Sequence, residues 1–220
     1  MPLNTRQASE LEAAIGEYGF PAVYFDFRAN VEVQAETMLA VEAAIHEMLV
    51  SPTIEGVRDG LANVIYWGYA QIGYRDSRVR RFREKATDDQ LGKCLAQFKT
   101  GASGGLARIA SFRLPEFSGI SFISKILAFL DPVRYCVLDK QLLKLAAVSG
   151  NRALHRLSPG TQIRVTAGNE RAYDSWRDEC ANISAQYFGS RYRVVDIERG
   201  FFQLVQSGQL AVAQQLYAAA

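Results

Sequence analysis

Two residues in this chain have the types needed for bond-breaking chemistry at a sugar or carbonyl carbon. Asp139 ends the apolar run Tyr135-Cys136-Val137-Leu138, and Lys125 lies in the preceding apolar segment. A fixed carboxylate stabilises positive charge developing on a sugar ring. A lysine amine can attack an electrophilic carbon and form a Schiff base. Each residue also has a plain structural role. Aspartate is a preferred helix N-cap, and most lysines are solvated.

The elements that must position them lie in Leu114–Asp139, LPEFSGISFISKILAFLDPVRYCVLD. Pro115 and Gly119 punctuate a tight turn. Ile120, Ile123, Ile126, Leu127 and Leu130 then recur at helical spacing. Asp131-Pro132 ends that helix, because the residue before proline is pushed out of the helical region. The short apolar run that follows reads as buried and delivers Asp139 to the next helix start.

This stretch resembles the helix–hairpin–helix element of the DNA glycosylase superfamily, whose pattern is roughly Leu-Pro-Gly-Ile-Gly followed by a helix and an aspartate. Gly119-Ile120-Ser121 stands in the place of Gly-Ile-Gly, Ile126-Leu127 matches the following helix, and Val137-Leu138-Asp139 matches the segment ending in the aspartate. Tyr173–Trp176 and Asp196-Ile197-Glu198 look like segments of compact bacterial relatives with an 8-oxoguanine DNA glycosylase-like fold. The resemblance implies an all-α, two-lobed helical fold with at most minor strands. It also implies excision of a modified base, an oxidised purine first, after flipping from double-stranded DNA. Asp139 would assist cleavage of the glycosidic bond, and Lys125 would supply an AP-lyase step. Two features depart from the pattern. Ser121 replaces the second glycine, and the family's lysine position falls on Ile123. Two residues turn a helical side chain by about 200°, so Lys125 serves only if the hairpin register slides by two.

Base recognition requires flat side chains and amides. Asn63, Tyr66 and Trp67, and Phe201 and Phe202, are the candidates. Phosphate contacts are expected from the turn at Gly119 and Ser121, from Arg78 and Arg81, and from Lys140 and Lys144. The segment Tyr74–Lys85 is the most basic in the chain, with Arg75, Arg78, Arg80, Arg81, Arg83 and Lys85. Such a run is either a solvated helix face or a phosphate-contacting edge. Across the chain 25 Lys and Arg face 23 Asp and Glu, a net charge of +2, so nucleic-acid affinity must come from local patches.

Other chemistries lack their residues. Gly101–Gly105 spells GxSxG but follows an expected helix rather than a strand, so it makes no nucleophile elbow; there is no HExxH or CxxC, and no GxGxxG after a strand. Gly104-Gly105 is followed by no GKS or GKT. No cofactor and no metal is expected. Cys94, Cys136 and Cys180 fit no ligand spacing and are expected to stay reduced in a cytoplasm. No run is apolar enough to span a membrane; the resemblance implies a cytoplasmic protein at the bacterial nucleoid, acting as a monomer.

The coarse pattern is a succession of helices. They fall at Ser9–Tyr18, Val31–Val50, Ile54–Ile72, Tyr74–Lys85, Thr87–Thr100 and Leu106–Phe112, then after Gly119, and over Lys140–Val148, Asn169–Phe188, Tyr192–Ser207 and Gln209–Tyr217. Ala22–Phe27 reads as a small strand or an arm, and Thr161–Val165 is weakly strand-like. Gly101–Gly105 is the expected lobe boundary, and Ser149-Gly150 and Pro159-Gly160 are expected breaks. The alternative to an enzyme is a non-catalytic helical DNA-binding or protein-interaction module that keeps the hairpin. A chance likeness, with Asp139 only a cap, is the third reading.

Overall fold

The computed structural model describes residues 2–100, 104–147, 151–158 and 160–220. The fold is all-α with a single two-stranded sheet: ten α-helices and two short strands among the described residues. The chain divides into two compact units. One comprises residues 1–19 and 132–220, and the other residues 20–131. The expected boundary at 101–105 falls inside the second unit, and residues 101–103 lie outside the described ones, as do Ser149-Gly150 and Pro159.

The second unit opens with a hairpin, β1 (Val23–Asp26) and β2 (Val31–Gln34), antiparallel with Tyr24 opposite Val33 and Phe25 opposite Glu32. This resolves Ala22–Phe27 as a strand. It also corrects the helix expected from Val31: the alternating Val31-Glu32-Val33-Gln34 pairs with β1, and helix begins only at Met38. The turn is built by Asp26, whose carboxylate accepts from the Arg28 and Ala29 N–H groups at 2.9 and 3.0 Å. Asn30 takes the left-handed position at φ 56°, which asparagine tolerates.

Then come α2 (Met38–Leu49), α3 (Ile54–Gly68), α4 (Arg75–Lys85), α5 (Asp88–Phe98), α6 (Gly105–Ala110) and α7 (Ile120–Leu130). Thr37, Thr53 and Thr87 cap α2, α3 and α5 with their hydroxyls, each satisfying a free helix N–H. Helix α3 is the hub, packed against β1, α2, α4, α5 and α7. Every residue from Gly60 to Trp67 is buried, as expected of a helix enclosed on all sides.

The other unit joins α1 (Thr5–Gly16) to α8 (Ala167–Phe188), α9 (Val194–Gln206) and α10 (Leu210–Ala219). Its centre is Tyr173, Trp176, Phe201 and Tyr217. The helix expected over Lys140–Val148 does not form among its described residues, 140–147: Leu142–Ala147 is a 3₁₀ turn, and a second follows at Ala153–Arg156. No strand forms at Thr161–Val165. Helix α1 starts at Thr5, earlier than expected, because Asn4 and Gln7 make the capping box. No helix among the described residues is long and apolar enough to cross a membrane.

Candidate functional site

The run before Asp139 is buried as expected, and its main chain is held by side chains. Tyr173 donates to the Cys136 carbonyl at 2.8 Å and the Trp176 indole N–H to the Val137 carbonyl at 3.3 Å. The Val137 N–H donates to Glu198 at 3.3 Å. These bonds satisfy a non-helical backbone that water cannot reach. Asp139 emerges half-buried. Its carboxylate accepts from the Gln141 and Leu142 N–H groups at 2.8 and 3.3 Å, so it caps the first 3₁₀ turn. Its charge is felt by Tyr18. Burial raises that hydroxyl well above its ordinary pKa, Arg199 opposes the rise, and Glu198 and Asp139 add to it. Lys140 and Lys144 are exposed on the same unit.

Lys125 belongs to the other compact unit, residues 20–131. It is only 6% exposed on α7, contrary to an ordinary surface lysine. Its ammonium donates to the Ser121 carbonyl and hydroxyl, both at 3.3 Å, and lies 5.1 Å from the Phe122 ring centre. Room for this side chain comes from Gly68 at the end of α3. A Cβ there would sit 2.7 Å from Phe122 Cε1 and 3.2 Å from Lys125 Cδ. Tyr69 packs on Phe122 with centroids 4.6 Å apart, and half-exposed Tyr74 packs on Tyr69 at 5.3 Å. Lys125 therefore lies beside an aromatic wall.

Helices α6 and α7 pack against each other across the turn at Leu114–Gly119. The turn is built differently from a glycine hairpin. Gly119 is the extended N-cap of α7, at φ −127°. The left-handed positions are Arg113 and Glu116, at φ 54° and 68°. Glu116 draws in two residues expected to face phosphates: Arg78 and Arg81 pair with its carboxylate at 3.0 and 3.2 Å. The hydrogen bond to Glu116 pushes Arg78 further above its ordinary pKa. Ser121 turns its hydroxyl to Lys125.

The expected base-recognition residues do not gather in one place. Asn63 is fully buried, and its amide clamps β1 to α3. The Phe25 N–H donates to Oδ1 at 2.6 Å, and Nδ2 donates to the Phe25 carbonyl at 3.0 Å and to the Asp59 carbonyl at 3.1 Å. Trp67 is buried between Phe20 and Phe129, with an indole N–H that has no hydrogen-bond partner among the described residues. Tyr66 donates its hydroxyl to Glu32 and lines a cleft between the hairpin and α4. Phe201 is core, against Trp176 and Tyr217, and Phe202 packs edge-on to Tyr18.

No family model, curated protein or solved structure matches the chain. The helix–hairpin–helix likeness thus rests on Leu114–Asp139 and its surroundings. Sequence reasoning missed Glu116, Gly68, Tyr18 and Arg199. Only Gly68 carried a local signal, a glycine closing a helix rich in aromatic residues. The other three act through partners distant in sequence.

Proposed function

We propose that the chain is a DNA N-glycosylase that acts as a monomer on double-stranded DNA in the cytoplasm, with an oxidised purine as the first candidate base. The observation that carries this reading is the burial of Lys125 beside the turn that precedes α7. A semi-enclosed amine held in place by the Ser121 carbonyl and hydroxyl suits nucleophilic work. In the proposed reaction the Lys125 nitrogen bonds to C1′ as the C1′–base bond breaks. The nitrogen gives up a proton and the departing base gains one. Opening of the sugar ring leaves a Schiff base, and loss of the 3′-phosphate by β-elimination nicks the strand. Asp139 supports the positive charge that builds on the sugar. Its capping bonds suit this role, since two N–H donors fix the position of the carboxylate.

One observation favours a second reading, a DNA-binding module without chemistry. The Asp139 carboxylate already has a structural task, the capping of the first 3₁₀ turn. The deciding experiment is base release and borohydride trapping on a panel of damaged and abasic duplexes. Wild type is compared with Lys125→Met and Asp139→Asn. The enzyme reading expects a trapped adduct that Lys125→Met abolishes, and base release that Asp139→Asn lowers by at least roughly a hundredfold. Salt-dependent DNA binding without adduct or base release, unchanged in Asp139→Asn, would establish the second reading.

A further inference from the structure

A cleft of the unit formed by residues 20–131 is lined by neither Lys125 nor Asp139. The hairpin and α4 enclose about 680 Å³, within the range of roughly 300–1,000 Å³ usual for small-molecule sites. Phe25, Phe27 and Tyr66 form its aromatic floor, and Arg75, Arg80 and Arg83 its α4 side. Spacing along α4 explains the second group. Residues 75, 76, 79, 80, 83 and 84 recur three and four apart and share one helix face, and all six line the cleft.

The arrangement of charges and rings selects the occupant. The Arg75 guanidinium lies over the Tyr66 ring at 3.8 Å, and that of Arg83 over Phe27 at 4.2 Å. The ring faces that would otherwise form a cage for an ammonium ligand are thus taken by the protein's own cations. Both guanidiniums are also neutralised. Arg75 pairs with Glu32 at 2.9 Å and with Asp76 at 3.4 Å, and Arg83 pairs with Glu55 at 2.9 Å and with Asp59. A neutralised, ring-stacked guanidinium offers a flat, weakly hydrated surface rather than a hook for phosphate. Three arginines of the lining face three carboxylates, Glu32, Asp76 and Glu84, so the cleft has no net charge to draw in a polyanion. Arg80 and Glu84, one turn apart on α4, make no ion pair among the described residues and leave one donor and one acceptor at the rim.

We propose that this cleft binds a neutral, planar heteroaromatic molecule of the purine base or nucleoside class, stacked on the ring-backed guanidinium surfaces of Arg75 and Arg83 and read at its edge by Arg80 and Glu84. The assignment stands whether or not the chain acts on DNA. Titration calorimetry of the full chain with adenine, hypoxanthine, adenosine, AMP and choline tests it. Saturable binding of a base or nucleoside is expected, with AMP no tighter than adenosine and choline silent. Phe27→Leu keeps the floor apolar but removes the ring that holds the Arg83 guanidinium flat for stacking, and should weaken binding by roughly tenfold or more. Arg80→Gln, on an exposed side chain that folding does not require, should weaken it less. Three results would each overturn the proposal: no saturable binding of any base or nucleoside to folded wild type, AMP or choline preferred over adenosine, or equal affinity in wild type and both variants.

Discussion

One glycine decides how closely the hub helix of residues 20–131 meets its neighbour. A Cβ on Gly60 would lie 2.7 Å from the Leu49 nitrogen, 2.9 Å from the Met48 carbonyl carbon and 3.0 Å from the Leu49 Cα. All three atoms are main chain at the end of α2. They cannot rotate aside as a side chain would, so the contact must open from 2.7 Å to about 3.4 Å by moving α2 bodily. Leu49 and Ile45 on that helix are completely buried, and the shift disturbs their packing as well. Overpacking costs about 1–3 kcal/mol, and an obstacle of main chain belongs at the upper end. Against it stands a gain of about 1 kcal/mol from replacing glycine by alanine within a helix. Gly60→Ala should therefore destabilise by about 2 kcal/mol. Gly92 in α5 is the control, because a Cβ there meets nothing within 4 Å. Gly92→Ala should stabilise by up to about 1 kcal/mol. Urea denaturation followed by circular dichroism, with unchanged slope, reads both. Equal effects of the two substitutions, or a neutral Gly60→Ala, would refute the close approach of α2 and α3.

Asn63→Ala should cost about 2 kcal/mol, because it leaves the N–H and carbonyl of Phe25 without their partner. Amide exchange in β1 should rise with it, and a loss under about 0.5 kcal/mol would show that water replaces the clamp. Glu32 gives a pH dependence. The hydrogen bond from Tyr66 holds its carboxyl below the ordinary 4.5, burial opposes this, and Arg75 reinforces it. The folded state therefore binds its proton at lower pH than the unfolded chain does. Stability from this contact is complete above pH 4.5 and is lost as the pH falls through the lower folded value. Carboxyl carbon NMR should place the Glu32 titration below 4.5 and Tyr66→Phe should move it upward. A midpoint at or above 4.5 in the intact protein would contradict the Tyr66–Glu32 contact.

Local chemistry made much of the fold legible. Threonine caps before α3 and α5, proline after α7 and apolar spacing along the helices are decided within a few residues. The end of the buried run at Asp139, and its role as a cap, follow from the same short-range rules. Val31–Gln34 was not legible as a strand. Four residues carry too little alternation, and the hairpin depends on Asn63, from a helix formed later in the chain, to satisfy β1. The burial of Lys125 was hidden for a related reason, since the space it occupies is made by Gly68 on α3.

The basic segment shows most clearly why charge along a sequence is not charge at a surface. Tyr74–Lys85 contains six cations, which invites a phosphate-binding edge. Folding brings acids to four of them from three separate places: Glu32 from β2 to Arg75, Glu116 from the turn before α7 to Arg78 and Arg81, and Glu55 and Asp59 from α3 to Arg83. None of those acids is a helical neighbour of its arginine, so no pattern within the segment could reveal the pairing. Each pair keeps at least one partner partly exposed, so each adds modest stability. Their larger effect is to remove anion affinity from most of the helix while fixing two guanidiniums against aromatic rings. Arg80 and Lys85 are left without ion pairs among the described residues. Any attraction of α4 for a charged partner must then fall most heavily on these two positions, and Arg80 alone of the pair lines the cleft.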